Sequence, residues 1–182
     1  MKIPKSWLND YVKFDSSIED ISHFLTMAGN EVENTKKIGY LKNVVVGEIK
    51  DICSHPNADN LKLVSVDNGS TIKEVVCGAK NIFIGQKIAF ASIGAELFNP
   101  YENELKEKFI LKASKIRGVI SEGMICSEKE LGIGNDHSGI LKLDSKTELG
   151  TTISEVIGDF ILELSLTPNR PDCLGILGIA RE

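Results

Sequence analysis

The chain of 182 residues is 42% hydrophobic and carries 26 acidic against 21 basic side chains, for a net charge of −5. So much apolar content supports one or two packed domains and excludes a disordered chain. The acidic balance excludes coating of nucleic acid by bulk charge, and no apolar run approaches the roughly 20 residues of a membrane span. The N-terminus, MKIPKSWLND, lacks the apolar core of a secretory signal. Cys53, Cys77, Cys126 and Cys173 stand far apart without a CxxC pair, which points to a reduced, cytoplasmic protein with neither a zinc site nor a dense disulfide frame.

The first 38 residues read as helical. Trp7, Leu8, Tyr11 and Val12 share one face of a helix that starts after Pro4. Ser16 and Glu19 match a capping box for a second helix, in which Ile18, Ile21, Leu25 and Ala28 recur at helical spacing and Gly29 is the stop. From Asn43 the period becomes that of strands. Runs at 44–49, 61–66 and 72–77 form a meander, with a dense group of turn formers at 55–60 and a hairpin signal at Asp67-Asn68-Gly69. A fourth strand is expected at 87–93, further extended segments at 109–111 and 115–117, and a last short strand at 139–143. Five or six short strands in this span predict a small barrel of OB type, because an open sheet of that size leaves exposed edges. Phe83, Phe90, Phe98, Tyr101 and Phe109 are expected to fill it. After Gly150 come a short helical turn at 154–158, a half-buried strand at 160–166, and the turn Thr167-Pro168-Asn169-Arg170-Pro171-Asp172, with Asp172 placed to cap a closing helix. The chain stops inside that apolar helix, so it reads as the N-terminal piece of a longer protein.

Charge is unevenly spread. Residues 39–151 hold 14 basic and 15 acidic groups, and residues 152–182 hold two and five. One strong basic cluster stands out, with Lys106, Lys108, Lys112, Lys115 and Arg117 against the single acid Glu107. Catalytic patterns are missing. The three histidines, His23, His55 and His137, lie in no recognisable triad, and His55 before Pro56 reads as a structural or solvent-facing turn residue. Gly132-Ile133-Gly134 lacks the lysine of a phosphate loop, and Glu128, Glu130 and Asp136 read as solvated surface rather than cation ligands.

Three stretches carry a family resemblance: HPNADNLKLVSVDNG (55–69), VVCGAKNI (75–82) and KIRGVISEGMICSEKELGI (115–133). They resemble successive signatures of the bacterial-type tRNA-binding domain, an OB-fold module. The flanking SWLNDYV (6–12), LTMAGNEVE (25–33) and LTPNRPDCLGILGIARE (166–182) resemble the N-terminal region of phenylalanyl-tRNA synthetase beta subunits. The resemblance implies an α+β protein in which an OB-type β-barrel at 40–150 is inserted into a small split helical domain at 1–39 and 151–182. It implies tRNA as a partner, and an alpha subunit in a tetramer of two alpha and two beta chains. No cofactor is expected in this fragment, which has no catalytic centre; ATP and Mg²⁺ are implied for the parent enzyme. Lys112, Ser114, Lys115, Arg117 and Ser121 are the expected RNA-facing residues, suited to phosphate and ribose contacts. Gly78, Gly118 and Gly123 are expected at tight turns or close backbone approaches. A second reading stays open, in which the near-neutral barrel is a structural or protein-interaction module with little direct tRNA contact.

Overall fold

In chain order the regular elements are β1 (Lys2–Pro4), α1 (Lys5–Leu8), α2 (Ile18–Met27), β2 (Glu31–Ile38), β3 (Val44–Ser54), β4 (Lys62–Asp67), β5 (Ile72–Cys77), β6 (Lys87–Ser92) and β7 (Glu96–Phe98). They continue as β8 (Lys108–Ile110), β9 (Ser114–Ile116), β10 (Val119–Ser121), β11 (Gly123–Ile125), α3 (Glu128–Leu131), α4 (Ile153–Ile157), β12 (Asp159–Ser165), a 3₁₀ turn (Pro171–Leu174) and α5 (Ile176–Ile179). This computed structural model describes residues 1–101 and 107–182, so Lys106 of the basic cluster lies outside the described residues. The chain divides into two compact units, one made of Met1–Ile38 with Gly158–Glu182 and the other of Gly39–Ile157.

The first unit is not the helical domain expected. It is a three-stranded antiparallel sheet in the order β1-β12-β2, carrying short helices. Residues 31–38 leave the helix because Gly29, at φ +89°, ends α2 and reverses the chain. The half-apolar strand β12 then finds its partner in β2, with Leu164 opposite Val32. At the N-terminus only Lys5–Leu8 is helical, and Trp7 and Tyr11 stay exposed while Leu8 is buried. The cap of α2 is Ser17, not Ser16, and its hydroxyl accepts from Asp20 N at 3.1 Å. Both serines stand three residues before an acid, and burial of Ile18, Ile21 and Leu25 selects the phase. Asp172 does not cap the closing helix, whose N-cap is Gly175. Its carboxylate instead pairs with Arg170 at 3.0 Å, and Arg170 also reaches Glu182 at 2.7 Å. The guanidinium holds the Asp172 carboxyl down at about 2.

The second unit is a nearly closed five-stranded antiparallel barrel in the order β11-β6-β3-β4-β5, the OB type of arrangement. The long strand β3 serves two neighbours: Val44 to Glu48 pair with β6, and Glu48 to Ser54 pair with β4. A register shift between Ile49 and Asp51 bends it between the two. The edges β5 and β11 are drawn together by Glu122 N donating to Glu74 O and Val76 N donating to Ser121 Oγ. Of the aromatics expected inside, Phe90 is fully buried, but Phe83 and Tyr101 stand exposed. Residues 139–143 form no strand; they run beside the barrel with one isolated bridge, Lys142 to Ile88, whereas β7 and β11 are strands the sequence did not announce.

Where β3, β4 and β6 meet, Glu48 receives Lys50 at 2.7 Å and Lys87 at 2.8 Å. These two ammonium groups lower its carboxyl from an ordinary 4.5 to about 2. A carboxyl lowered by folding stabilises the native state above its unfolded value and loses that contribution as it protonates. The urea midpoint is therefore expected to fall between about pH 4.5 and pH 2, and Glu48→Gln is expected to flatten that part of the profile while lowering the midpoint at pH 7. Parallel pH profiles of the two proteins would refute the assignment.

Candidate nucleic-acid interface

The β9–β10 hairpin, which holds most of the residues expected to face RNA, turns through Arg117 and Gly118 between the paired Ile116 and Val119. Their φ angles are +47° and +98°, the left-handed pair that matches the twist of a hairpin. Glycine accepts this freely but arginine does not, and the first signature stretch supplies the support. Asn57 Nδ2 donates to Arg117 O at 2.9 Å. Asn57 N donates to His55 Nδ1 at 3.1 Å, which leaves Nε2 protonated to donate to Ile116 O at 3.2 Å. His55 is buried, at 5% exposure, and its role is structural. His55→Ala is expected to speed amide hydrogen exchange across the β9–β10 hairpin by about five- to a hundredfold, the value of a lost buried hydrogen bond of about 1–3 kcal/mol. Exchange unchanged there would show that the histidine does not hold the turn.

The five expected residues do not form one surface. Lys115, opposite Ile120, and Ser114, opposite Ser121, point to opposite faces of the hairpin because strand side chains alternate. Lys112, Ser114, Lys115 and Arg117 are exposed. Ser121 is buried at 4%, and its hydroxyl accepts from Val76 N and donates to Gly123 O. It closes the barrel and offers nothing to a ligand. Lys108 belongs to the separate β7–β8 pair, where its ammonium lies 5.1 Å from the centre of the Phe98 ring.

The three signature stretches meet elsewhere, around Gly78 and Ala79. Two adjoining depressions share these residues as a wall. One, of about 460 Å³, is lined by Asp59, Asn60, Lys62 and Lys80. The other, of about 360 Å³, is lined by Val76, Cys77, Met124, Ser127, Glu130 and His137, with Tyr101 also on it. Asn81 holds the far side, donating to Ile140 O at 2.9 Å and accepting from Ile140 N at 3.0 Å. Inside the second cavity Glu130, read from sequence as solvated, is only 8% exposed. Its Oε2 accepts from Ser127 N at 2.7 Å and from Ser127 Oγ at 2.9 Å, a capping box that closes α3. His137 Nδ1 lies 3.0 Å from the same hydroxyl, and the Tyr101 ring meets the imidazole edge-on at 5.8 Å. Lys62 and Lys80 carry no charge-cluster signal because each is isolated from other cations along the chain, and Glu130, grouped with Glu128 and Asp136, reads as surface. They lie within the quoted motif stretches, which was the available signal.

Among the described residues the grouped carboxylate and thiol atoms close enough to hold a cation are those of Asp172, Cys173 and Glu182, and both acids are already paired with the Arg170 guanidinium. No helix of the described residues is long and apolar enough to cross a membrane.

A family model described as "Putative tRNA binding domain" matches residues 44–152. The phenylalanine-tRNA ligase beta subunit of Protochlamydia amoebophila is 44% identical over 183 residues, covering 100% of this chain and 22% of that protein. The protein of the same name from Syntrophus aciditrophicus is 43% identical over 185 residues, covering 100% and 22%. The chain thus spans about a fifth of the length of these curated relatives.

Proposed function

The chain belongs to the tRNA-binding domain family, and from that premise we propose that it is the N-terminal, non-catalytic, tRNA-contacting part of a phenylalanine-tRNA ligase beta subunit. The observation that carries this is the meeting of three sequence-distant motif stretches at the wall formed by Gly78 and Ala79, beside the exposed cations Lys62 and Lys80. Lys112, Ser114, Lys115 and Arg117 add phosphate and ribose donors on the β9–β10 side. The barrel is carried as an insertion between the two stretches of the first unit. For the whole protein, the same reading brings an alpha subunit partner in a tetramer of two alpha and two beta chains. It also brings phenylalanine activation with ATP and Mg²⁺ on other domains, and a cytoplasmic place in translation.

One observation favours the second reading, of an interaction module with little RNA contact: residues 39–157 hold 14 basic against 16 acidic groups. A salt titration of tRNA binding separates the two. Phosphate contacts make log K fall linearly with log salt, and such a fall, from weak binding at low salt, is expected. Absence of binding at about 20 mM salt would overturn the tRNA reading for this chain.

A further inference from the structure

Resting on the tRNA reading, we propose that the cavity walled by Gly78, Ala79, Ser127 and Glu130 takes one unstacked nucleotide base that bears an exocyclic amino group, with its phosphate directed to Lys62 and Lys80. The cavity, of about 360 Å³, is at the lower end of the size of small-ligand sites. Its lining includes Glu130, whose Oε2 is committed to Ser127 N and Ser127 Oγ. Oε1 is the remaining acceptor on that group. Covered by a bound base, an acceptor on a residue only 8% exposed rewards a donor and penalises another acceptor, so sites of this kind discriminate strongly between ligands that differ by one amino group. Adenine N6, cytosine N4 and guanine N2 all supply the donor, as cytosine N4 does to a carboxylate in base readout; uracil places a carbonyl oxygen at the corresponding position.

The other walls fit the same ligand. Met124, Ile125 and Ile140 are apolar, and Tyr101, 86% exposed, lines the cavity and supplies an aromatic ring for stacking, the usual way in which a base splayed from an RNA loop is held. Lys62 lies across from Cys77 in the β4–β5 register, and Cys77 lines the cavity together with Glu130, so the acid and the cation flank one short stretch of wall. His137 orders the acid through Ser127. A base on one side of Gly78 and a phosphate on the other use the two adjoining depressions together.

The test is NMR titration of the 182-residue chain with AMP, GMP, CMP and UMP, read at the amides of Gly78, Ala79 and Gly139, beside tRNA binding by the same samples. Saturable shifts with AMP, GMP and CMP, and affinity for UMP weaker by about tenfold, are expected. Tyr101→Ala is expected to weaken the amino bases about five- to fiftyfold by loss of stacking, and Glu130→Gln to bring CMP and UMP to near equality. Tyr101 is exposed, so its variant keeps the test valid if Glu130→Gln fails to fold. No pocket shifts up to about 10 mM mononucleotide, while tRNA binds, would overturn this inference and leave the tRNA reading standing. Pocket shifts without tRNA binding would overturn that reading alone. Shifts produced by butylamine and not by any nucleotide would assign the cavity to a protein side chain and overturn the inference.

Discussion

Replacement of Lys112, Lys115 and Arg117 together by alanine is expected to weaken tRNA binding about a hundred- to a thousandfold at about 50 mM salt, and to make the slope of log K against log salt shallower by about 2 to 3. Each neutralised phosphate contributes roughly 0.7–0.9 to that slope, and all three side chains are exposed. The unit spanning Gly39–Ile157 has no net positive charge to compensate, with 14 basic against 16 acidic groups, so its affinity must come from a few placed cations. The fold is expected to tolerate the change. Alanine at position 117 keeps a Cβ at the left-handed φ of +47°, and the carbonyls held by His55 and Asn57 are unaltered. Lys62→Ala with Lys80→Ala is expected to lower the slope by about 1.5 on the same grounds. Affinity and slope unchanged in the triple variant but lowered in the double would place the RNA on the cavity side alone and refute the hairpin surface.

What could be read from the sequence was what depends on local pattern. The meander of β3 to β5 followed from alternation and from the Asp67-Asn68-Gly69 turn, where Asp67 and Asn68 side chains accept from the backbone within the turn. Residues whose meaning depends on distant partners were misread. Ser121 looks like a polar residue free for a ligand, yet the closure of β5 onto β11 consumes its hydroxyl. Glu130 looks solvated until Ser127 and the loop carrying His137 fold over it. Residues 31–38, polar at most positions, become a strand because β12 needs an edge partner in the first unit, a long-range pairing no local window reports. His55 is the intermediate case: a turn was legible, but the Ile116 carbonyl it holds, like the Arg117 carbonyl held by Asn57, is far along the chain.

Gly123→Ala is expected to destabilise the barrel by about 2–3 kcal/mol, lowering the urea midpoint at unchanged m value. The glycine is not there for its conformational freedom, since its φ is not among the positive ones. A Cβ at 123 would lie 2.5 and 2.6 Å from the ring of Phe90 and 2.8 Å from Ala91 O. The backbone cannot give, because β11 is held against β6 with Gly123 opposite Ser92 and Met124 opposite Ala91. Nor can the ring, which is fully buried and whose own Cβ is approached from the other side, where a Cβ on Gly47 would come within 3.0 Å. Phe90 is thus accommodated by two glycines on neighbouring strands, and its size and their absence of side chains are one packing decision. The pair must therefore couple. Phe90→Leu alone is expected to cost about 1–2 kcal/mol for lost contacts, and the double variant Gly123→Ala, Phe90→Leu to cost about 1–2 kcal/mol less than the sum, because the shorter side chain vacates the space that the new methyl needs. Gly78→Ala, whose added Cβ meets only the Leu61 side chain at 3.4 Å, serves as the control and is expected to change stability by less than about 0.5 kcal/mol. Strict additivity of the two core substitutions would show that the clash is relieved elsewhere and that Gly123 answers to some other constraint.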